Sequence, residues 1–256
     1  VSRHLSCFVR LVYSKIECHD SSFELLKTFL FRMPLTTFEM KRLQTRCKPI
    51  DDLLGGGIEG STITEVYGEA GSGKTNLCLQ VSREYATCVG KVAYIDTEGV
   101  SLERLRQMSE GCDYKKILSN ILFFSPHSFE EQEKMVDDAV KINDVGLIVV
   151  DTINMFYRLK LENDEDGAVR SLNRQIATLQ MAARKKDLYV VLAAQVYAVE
   201  NDDVKPFAGR GIEHIAKTIL KFERVGMGKR QITIIKHRSQ PEGKKTVFNI
   251  TGRGLE

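Results

Sequence analysis

The stretch EVYGEAGSGKTN, Glu65 to Asn76, decides how the rest of the chain is read. Its core, GEAGSGKT (Gly68–Thr75), fits G-x-x-x-x-G-K-[ST] at every position. It also sits where that pattern works. A β-branched run, TITEVY (Thr62–Tyr67), precedes it and an amphipathic segment follows it. A strand, a glycine-rich turn and a helix start bring backbone N–H groups and the positive end of a helix to one point, which suits phosphate oxygens. Gly68, Glu69, Ala70, Gly71, Ser72, Gly73, Lys74, Thr75 and Asn76 are therefore the expected nucleotide contacts. In this pattern Lys74 reaches the β- and γ-phosphates and the Thr75 hydroxyl holds Mg²⁺.

Working outward, apolar strands and amphipathic helices alternate. The spacing predicts a helix from Gly73 to about Val89 with Cys78, Val81, Tyr85 and Cys88 on its inner face. KVAYID, NILFFS, GLIVVD and LYVVLAA read as strands. SLERLRQMSEG reads as a helix stopped by Gly111. SFEEQEKMVDDAVKIN opens on a capping box, Ser128 with Glu131. A helix from about Asp166 to Lys186 carries Val169, Leu172, Ile176, Leu179 and Ala183 on one stripe. Such alternation predicts an α/β fold, a mostly parallel central sheet with helices on both faces. AKTILKFE, RQITIIK and KTVFNIT are short alternating runs, expected as a C-terminal antiparallel meander on the sheet edge.

Two carboxylates complete the chemistry. Asp151 ends the apolar run LIVVD, at the strand edge where ligands of such sheets bind. It is expected to reach Mg²⁺ through water. Glu98, in YIDTEG, lies just past the next strand after the phosphate-loop helix. It either orients the attacking water or is a solvated turn residue.

Composition sets the outer limits. The formal net charge of +3 is too small to argue for nucleic acid by itself. The six cysteines show no CxxC spacing and no His pair completes a zinc pattern. They read as reduced, with Cys78 and Cys88 in the core. No apolar run approaches the ~18 residues of a membrane span, and a cytoplasmic protein is expected. Residues 1–32 lack Gly, Pro and a clean period. They read either as a small ordered appendage or, better, as an extension, poorly ordered or the product of a mis-assigned start, with the functional ATPase domain spanning 33–256.

IDDLLGGGIEGSTITEVYGEAGSGKTNLCLQ, YIDTEG, LERLRQM, LIVVD and AAQV follow one another as in RecA-family recombinases, which the chain resembles over residues 40–256, most closely the archaeal RadA and RadB branch. The resemblance implies a RecA-like P-loop ATPase core, with ATP as the nucleotide. It implies Glu98 as the catalytic glutamate and Gln195 as the sensor of the γ-phosphate, coupled to DNA-binding loops. It implies Arg104 against the adenine. It also implies DNA, single-stranded or branched, a RadA-type recombinase, a Holliday-junction resolvase and further copies of the chain as partners, and association with the nucleoid.

The departures narrow this further. The N-terminal helical DNA-binding domain and the linker Phe-x-x-Ala motif of full recombinases are not found in this sequence, which is the pattern of RadB. The first DNA-facing loop, expected at about Phe156 to Asp166, has Arg158 and Lys160 but then the acidic run ENDED. The second has Lys205 and Arg210 among Glu200, Asp202 and Asp203. Their four basic residues are candidate DNA contacts; the alternative is solvated mixed-charge loops. Lys236 and Arg238, in IIKHRS, alternate and so are expected to point the same way. They resemble the Lys-x-Arg pair with which RecA-like hexamers reach a neighbour's γ-phosphate; the alternative is a charged edge strand. Three functions stay open: an accessory recombination protein with weak, DNA-linked ATPase activity, a filament-forming strand-exchange recombinase, or a KaiC-like regulatory ATPase with protein partners only.

Overall fold

The computed structural model describes residues 41–198, 204–206 and 209–256, with backbone alone for those between 197 and 210. The proposed extension, 1–32, lies outside the described residues. A short strand β1 (Arg42–Leu43) leads to helix α1 (Lys48–Leu54). Pro49 opens that helix and Gly55, at φ 72°, closes it in the left-handed region. Strand β2 (Ile58–Glu59) pairs back on β1. Then come β3 (Thr62–Gly68), α2 (Lys74–Cys88), β4 (Lys91–Asp96), α3 (Leu102–Met108), α4 (Tyr114–Asn120) and β5 (Ile121–Phe124). They are followed by α5 (Phe129–Lys141), β6 (Val145–Asp151), α6 (Met155–Leu161), α7 (Glu165–Lys186) and β7 (Tyr189–Ala194). A two-stranded hairpin, β8 (Val196–Ala198) with β9 (Val204–Pro206), precedes α8 (Gly209–Ile215), and β10 (Thr218–Arg224), β11 (Lys229–Lys236), β12 (Lys245–Thr251) and β13 (Gly254–Leu255) end the chain.

Nine strands form one sheet in the order β13-β12-β11-β10-β3-β7-β6-β4-β5. From β10 to β5 all neighbours are parallel. Antiparallel pairing begins only at β10–β11. The runs AKTILKFE, RQITIIK and KTVFNIT thus form the expected antiparallel meander, and the first of them, β10, also joins it to the parallel sheet through β3. Side-chain alternation splits the core into two layers. Val66, Val149 and Val191 face the layer of α1, α2 and α3. Ile63, Ile148 and Val150 face the layer of α5, α6 and α7. This order gathers the carboxyl ends of β3, β7, β6 and β4 on one rim.

Two periodicity readings fail by a fraction of a turn. Cys88 is exposed and not core, because the last turn of α2 runs past the sheet, with Val89 beyond it 64% exposed. Val169 is 38% exposed and Ala168 takes its place in the core, while the rest of the expected stripe, Leu172, Ile176, Leu179 and Ala183, is buried. Helix α4 has no counterpart in the sequence reading; Asp113, whose side chain accepts from Lys116 N, is its cap. The capping box of α5 forms, with Ser128 Oγ accepting from Glu131 N at 3.1 Å. The Glu131 carboxylate reaches back to His127 N at 2.8 Å, one residue earlier than the standard box. Cys47, Cys78, Cys88 and Cys112, the cysteines among the described residues, are free.

Candidate nucleotide site

The phosphate loop joins β3 to α2. Gly68 packs so closely on β10 that a Cβ there would collide with the Phe222 carbonyl. Gly73, at φ 108°, turns the chain into the helix through a conformation that side chains avoid. Lys74, the first helical residue, is buried and donates through Nζ to the carbonyls of Gly68 at 2.8 Å and Glu69 at 3.0 Å. Burial lowers its pKa, and the charges of Glu98 and Asp151 oppose that shift. The ammonium group thus stands over the loop, between two carboxylates and the space where phosphates would lie. Arg230 of β11 donates from Nε to the Gly71 carbonyl at 2.9 Å and braces the loop from outside.

Asp151 closes the rim at the end of β6, beside Asp96 of β4. Burial pushes its carboxyl up to about 6, against hydrogen bonds from Tyr94 and Thr75 that pull it down. The Tyr94 hydroxyl donates to Oδ2 at 2.8 Å. Oδ1 is buried without a partner at full hydrogen-bond geometry. An orphaned carboxylate oxygen next to a threonine hydroxyl is a donor set that suits a hydrated Mg²⁺, so Thr75 and Asp151 fit the metal expected of them.

Glu98 stands on a turn that Asp96 builds. The Asp96 carboxylate accepts from the backbone N–H groups of Glu98, Gly99 and Val100 at 3.2, 2.8 and 2.6 Å. From that turn Glu98 Oε1 accepts from Thr152 Oγ1 at 2.8 Å and from Gln195 Nε2 at 2.6 Å. Gln195 is held in turn: its N–H donates to Asn154 Oδ1 at 2.9 Å, and Asn154 Nδ2 donates to its carbonyl at 2.8 Å. Thr97 ties the same strand ends together, with Oγ1 donating to the Thr152 carbonyl and accepting from Thr152 N. The carboxylate, the amide and the lysine line one cleft of about 340 Å³ with Gly68, Glu69, Ala70 and Val196.

Other expected residues sit farther out. Arg104 of α3 donates from Nε to Asn76 Oδ1 at 2.8 Å and from a terminal nitrogen to the Thr251 carbonyl at 2.7 Å. It lies at the flank of the phosphate-loop helix. Lys236 and Arg238 do not share a direction. Strand β11 ends at Lys236 beside a register irregularity, so alternation does not extend to Arg238. Lys236 Nζ donates to the Glu213 carbonyl on α8 at 2.6 Å, whereas Arg238 pairs with Glu59 of β2 at 3.0 Å. Nor is β11 an edge strand, since it pairs on both sides. Arg158 and Lys160 lie on helix α6 and not in a loop. Lys160 is paired with Glu130 at 2.8 Å, and Arg158 is exposed. The acidic run that follows starts α7: Asp164 caps it, accepting from Gly167 N at 2.9 Å, and Glu165 and Asp166 fill its first turn. Lys205 lies in β9 and Arg210 in α8; their side chains fall outside the described residues.

Sequence reasoning missed Tyr94, Thr152, Asn154 and Arg230. Each makes its contact to a segment far off in the chain, Tyr94 to Asp151, Thr152 to Glu98, Asn154 to Gln195 and Arg230 to Gly71, so no local pattern marks them. Among the described residues no cluster of metal-ligating side chains of the His/Cys/Asp/Glu type occurs, and no helix is long and apolar enough to cross a membrane.

Comparison with known proteins fits this geometry. The Rad51 family model matches residues 37–256. The DNA repair and recombination protein RadB of Methanococcoides burtonii is 45% identical over 84% of this chain and 97% of its own length. Its namesakes in Archaeoglobus fulgidus and Thermoplasma acidophilum are 39% and 37% identical, each over 84% of this chain and 97% and 94% of theirs. A crystal structure of the RadB recombinase superposes with a TM-score of 0.74 at 37% identity, covering 83% of this chain and 98% of that one.

Proposed function

We propose, from the premise that the chain belongs to the Rad51 family and within it to the archaeal RadB recombination proteins, that it is an ATP-operated accessory protein of homologous recombination and DNA repair. Members of this family are in general Mg²⁺-dependent ATPases. In this reading the loop Gly68–Asn76 binds ATP, Lys74 meets the β- and γ-phosphates and Arg104 borders the base. Thr75 and Asp151 hold Mg²⁺. When bound, Mg²⁺ neutralises charge on the phosphates. Glu98 positions the attacking water and Gln195 reads the γ-phosphate.

The observation that carries the reading is the 2.6 Å hydrogen bond from Gln195 to Glu98. One end of it is the carboxylate that would handle water. The other end is the residue directly before hairpin β8–β9, the segment expected to meet DNA. Two donors, Gln195 and Thr152, share the carboxylate oxygen Oε1. A water at that oxygen has to compete with them, which favours slow hydrolysis until the glutamine moves. Nucleotide state and hairpin position are then alternatives of one switch. Residues 33–256 form the working unit, and residues 1–32 are an extension to it. The protein acts in the cytoplasm on single-stranded or branched DNA, at the nucleoid. It modulates a RadA-type recombinase and a Holliday-junction resolvase, and it associates with further copies of itself.

ATP turnover measured with and without single-stranded DNA, beside the mass of the assembly, tests this. The expected result is firm ATP binding with slow turnover that DNA raises only a few fold. Strong stimulation with filament growth would instead make it a strand-exchange recombinase. No salt-dependent DNA binding at all would leave a regulatory ATPase with protein partners.

A further inference from the structure

Helices α5 and α7 pack together on one face of the sheet through an apolar layer that includes Phe129, Val136, Leu172 and Ile176. Two glutamines interrupt it. Gln132 of α5 and Gln175 of α7 are 0% and 1% exposed. Gln132 Nε2 donates to Gln175 Oε1 at 2.9 Å and to the Ile153 carbonyl at 3.1 Å, so both its hydrogens are committed. Its Oε1 is buried without a partner. A buried amide with an unmet oxygen is a cost to stability, and a leucine would fill the same space without it. A polar side chain kept in an apolar layer at such a cost points to a functional role.

Ile153 is the middle of the segment that holds the sensor. On one side Thr152 donates to Glu98 Oε1, and on the other Asn154 holds the main chain of Gln195. The Ile153 N–H donates to the Ala193 carbonyl of β7 at 2.9 Å, and its carbonyl accepts from Gln132. The amide therefore grips this segment from the helix layer. Behind it the bonds continue outward. Gln175 Nε2 donates to Ser171 Oγ at 3.2 Å, and Ser171 Oγ donates to Glu133 Oε2 at 2.5 Å. Glu133 Oε1 lies 3.1 Å from Nη1 of Arg174, whose side chain is 68% exposed. Bonded side chains thus run unbroken from the surface of α5 and α7 to the sensor segment.

We propose that Gln132 is a positioning residue that, through the Ile153 carbonyl, keeps Thr152 and Gln195 on Glu98 and so holds turnover down. Gln175 and Ser171 hold Gln132 in turn, which makes the Glu133–Arg174 pair an outer handle on the site. The inference rests on the reading of Glu98 as the carboxylate that positions water and of Gln195 as its sensor.

The test measures ATP turnover by the full chain with Gln132→Leu, Asn154→Ala and both together, beside amide exchange of Gln195 by NMR. Gln132→Leu is expected to raise kcat roughly two- to tenfold, the worth of one hydrogen bond, with little change in KM. It is expected to speed exchange of the Gln195 N–H, which is bonded to Asn154 Oδ1, by a similar factor. Added to Asn154→Ala it is expected to raise kcat no further, because both act through one segment. Unchanged or lowered kcat, unchanged exchange, or additive effects each overturn the proposal. Gln132→Leu with Gln175→Leu separates position from stability. The apolar pair is expected to restore the melting temperature while kcat stays raised; a kcat that returns with the melting temperature makes Gln132 a packing residue and overturns the proposal. Should Gln132→Leu not fold, Ser171→Ala at the half-buried outer end serves. It is expected to shift kcat and exchange the same way but less, and no shift in either overturns the proposal. If the parent turns over no ATP, the ATPase reading fails, and exchange of Gln195 alone decides the positioning role.

Discussion

Asn154 makes two hydrogen bonds to the main chain of Gln195, and nothing in its sequence neighbourhood announces this. Its effect can be separated from that of the catalytic groups. Asn154→Ala should leave ATP affinity near that of the parent and change turnover, because it loosens the sensor without touching phosphate. Titration calorimetry beside a turnover assay checks this. Lys74→Ala should instead abolish ATP binding while the circular dichroism spectrum stays native; retained tight binding would mean that the phosphates lie elsewhere. Glu98→Gln should keep ATP binding and lower turnover. The positions of the loop, Glu98 and Asp151 were legible because each sits at a strand end whose apolar run is unambiguous, whereas Gln195 came from the family resemblance alone. The Thr152 hydroxyl and Arg230 were not, because their contacts join segments far apart in sequence.

Strand β3 carries an anomaly of its own. Glu65 is wholly buried in the middle of the sheet, its Oε1 has no hydrogen-bond partner, and burial lifts its pKa from 4.5 to about 8. The charge of Glu213 pushes the same way, and that of Lys236 opposes it. The folded protein thus binds a proton that the unfolded chain has already released. This contribution is whole below pH 4.5 and is lost as pH rises through about 8, at up to about 1.4 kcal/mol per pH unit. Glu65→Gln should flatten that decline, raising the melting temperature at pH 9 relative to the parent but not at pH 4; equal gains at both would mean that Glu65 is not the titrating group. At the start of α5, Ser128→Ala should cost about 1 kcal/mol in denaturant unfolding. The helix starts were readable where a capping side chain met an apolar period, as at Ser128. The resemblance places a DNA-facing loop where helix α6 forms, with the acidic run after Lys160 as part of it. That run in fact leads into the capped first turn of α7, which Asp164 opens. Whether a charge run caps a helix or crosses a loop depends on backbone geometry that the letters do not carry.

For the molecule as a whole, the α/β alternation and the C-terminal meander were clear from the apolar runs, whereas the parallel pairing of β10 with β3 was not, because it joins segments about 150 residues apart. DNA binding is a property of this scale, set by the sum of exposed charge. With Lys160 committed to Glu130, few cations on α6 remain to displace counterions. Binding measured over a salt series should have a shallow slope, and Arg158→Ala should reduce it by about one unit; an unchanged slope would place the DNA elsewhere. Arg230 joins the Gly71 carbonyl to β11, and β11 pairs with β10 on one side and β12 on the other. The antiparallel end of the sheet and the phosphate loop are therefore mechanically one piece. Whatever bends that end pulls on the loop, so its grip is open to adjustment from a surface that never meets the nucleotide.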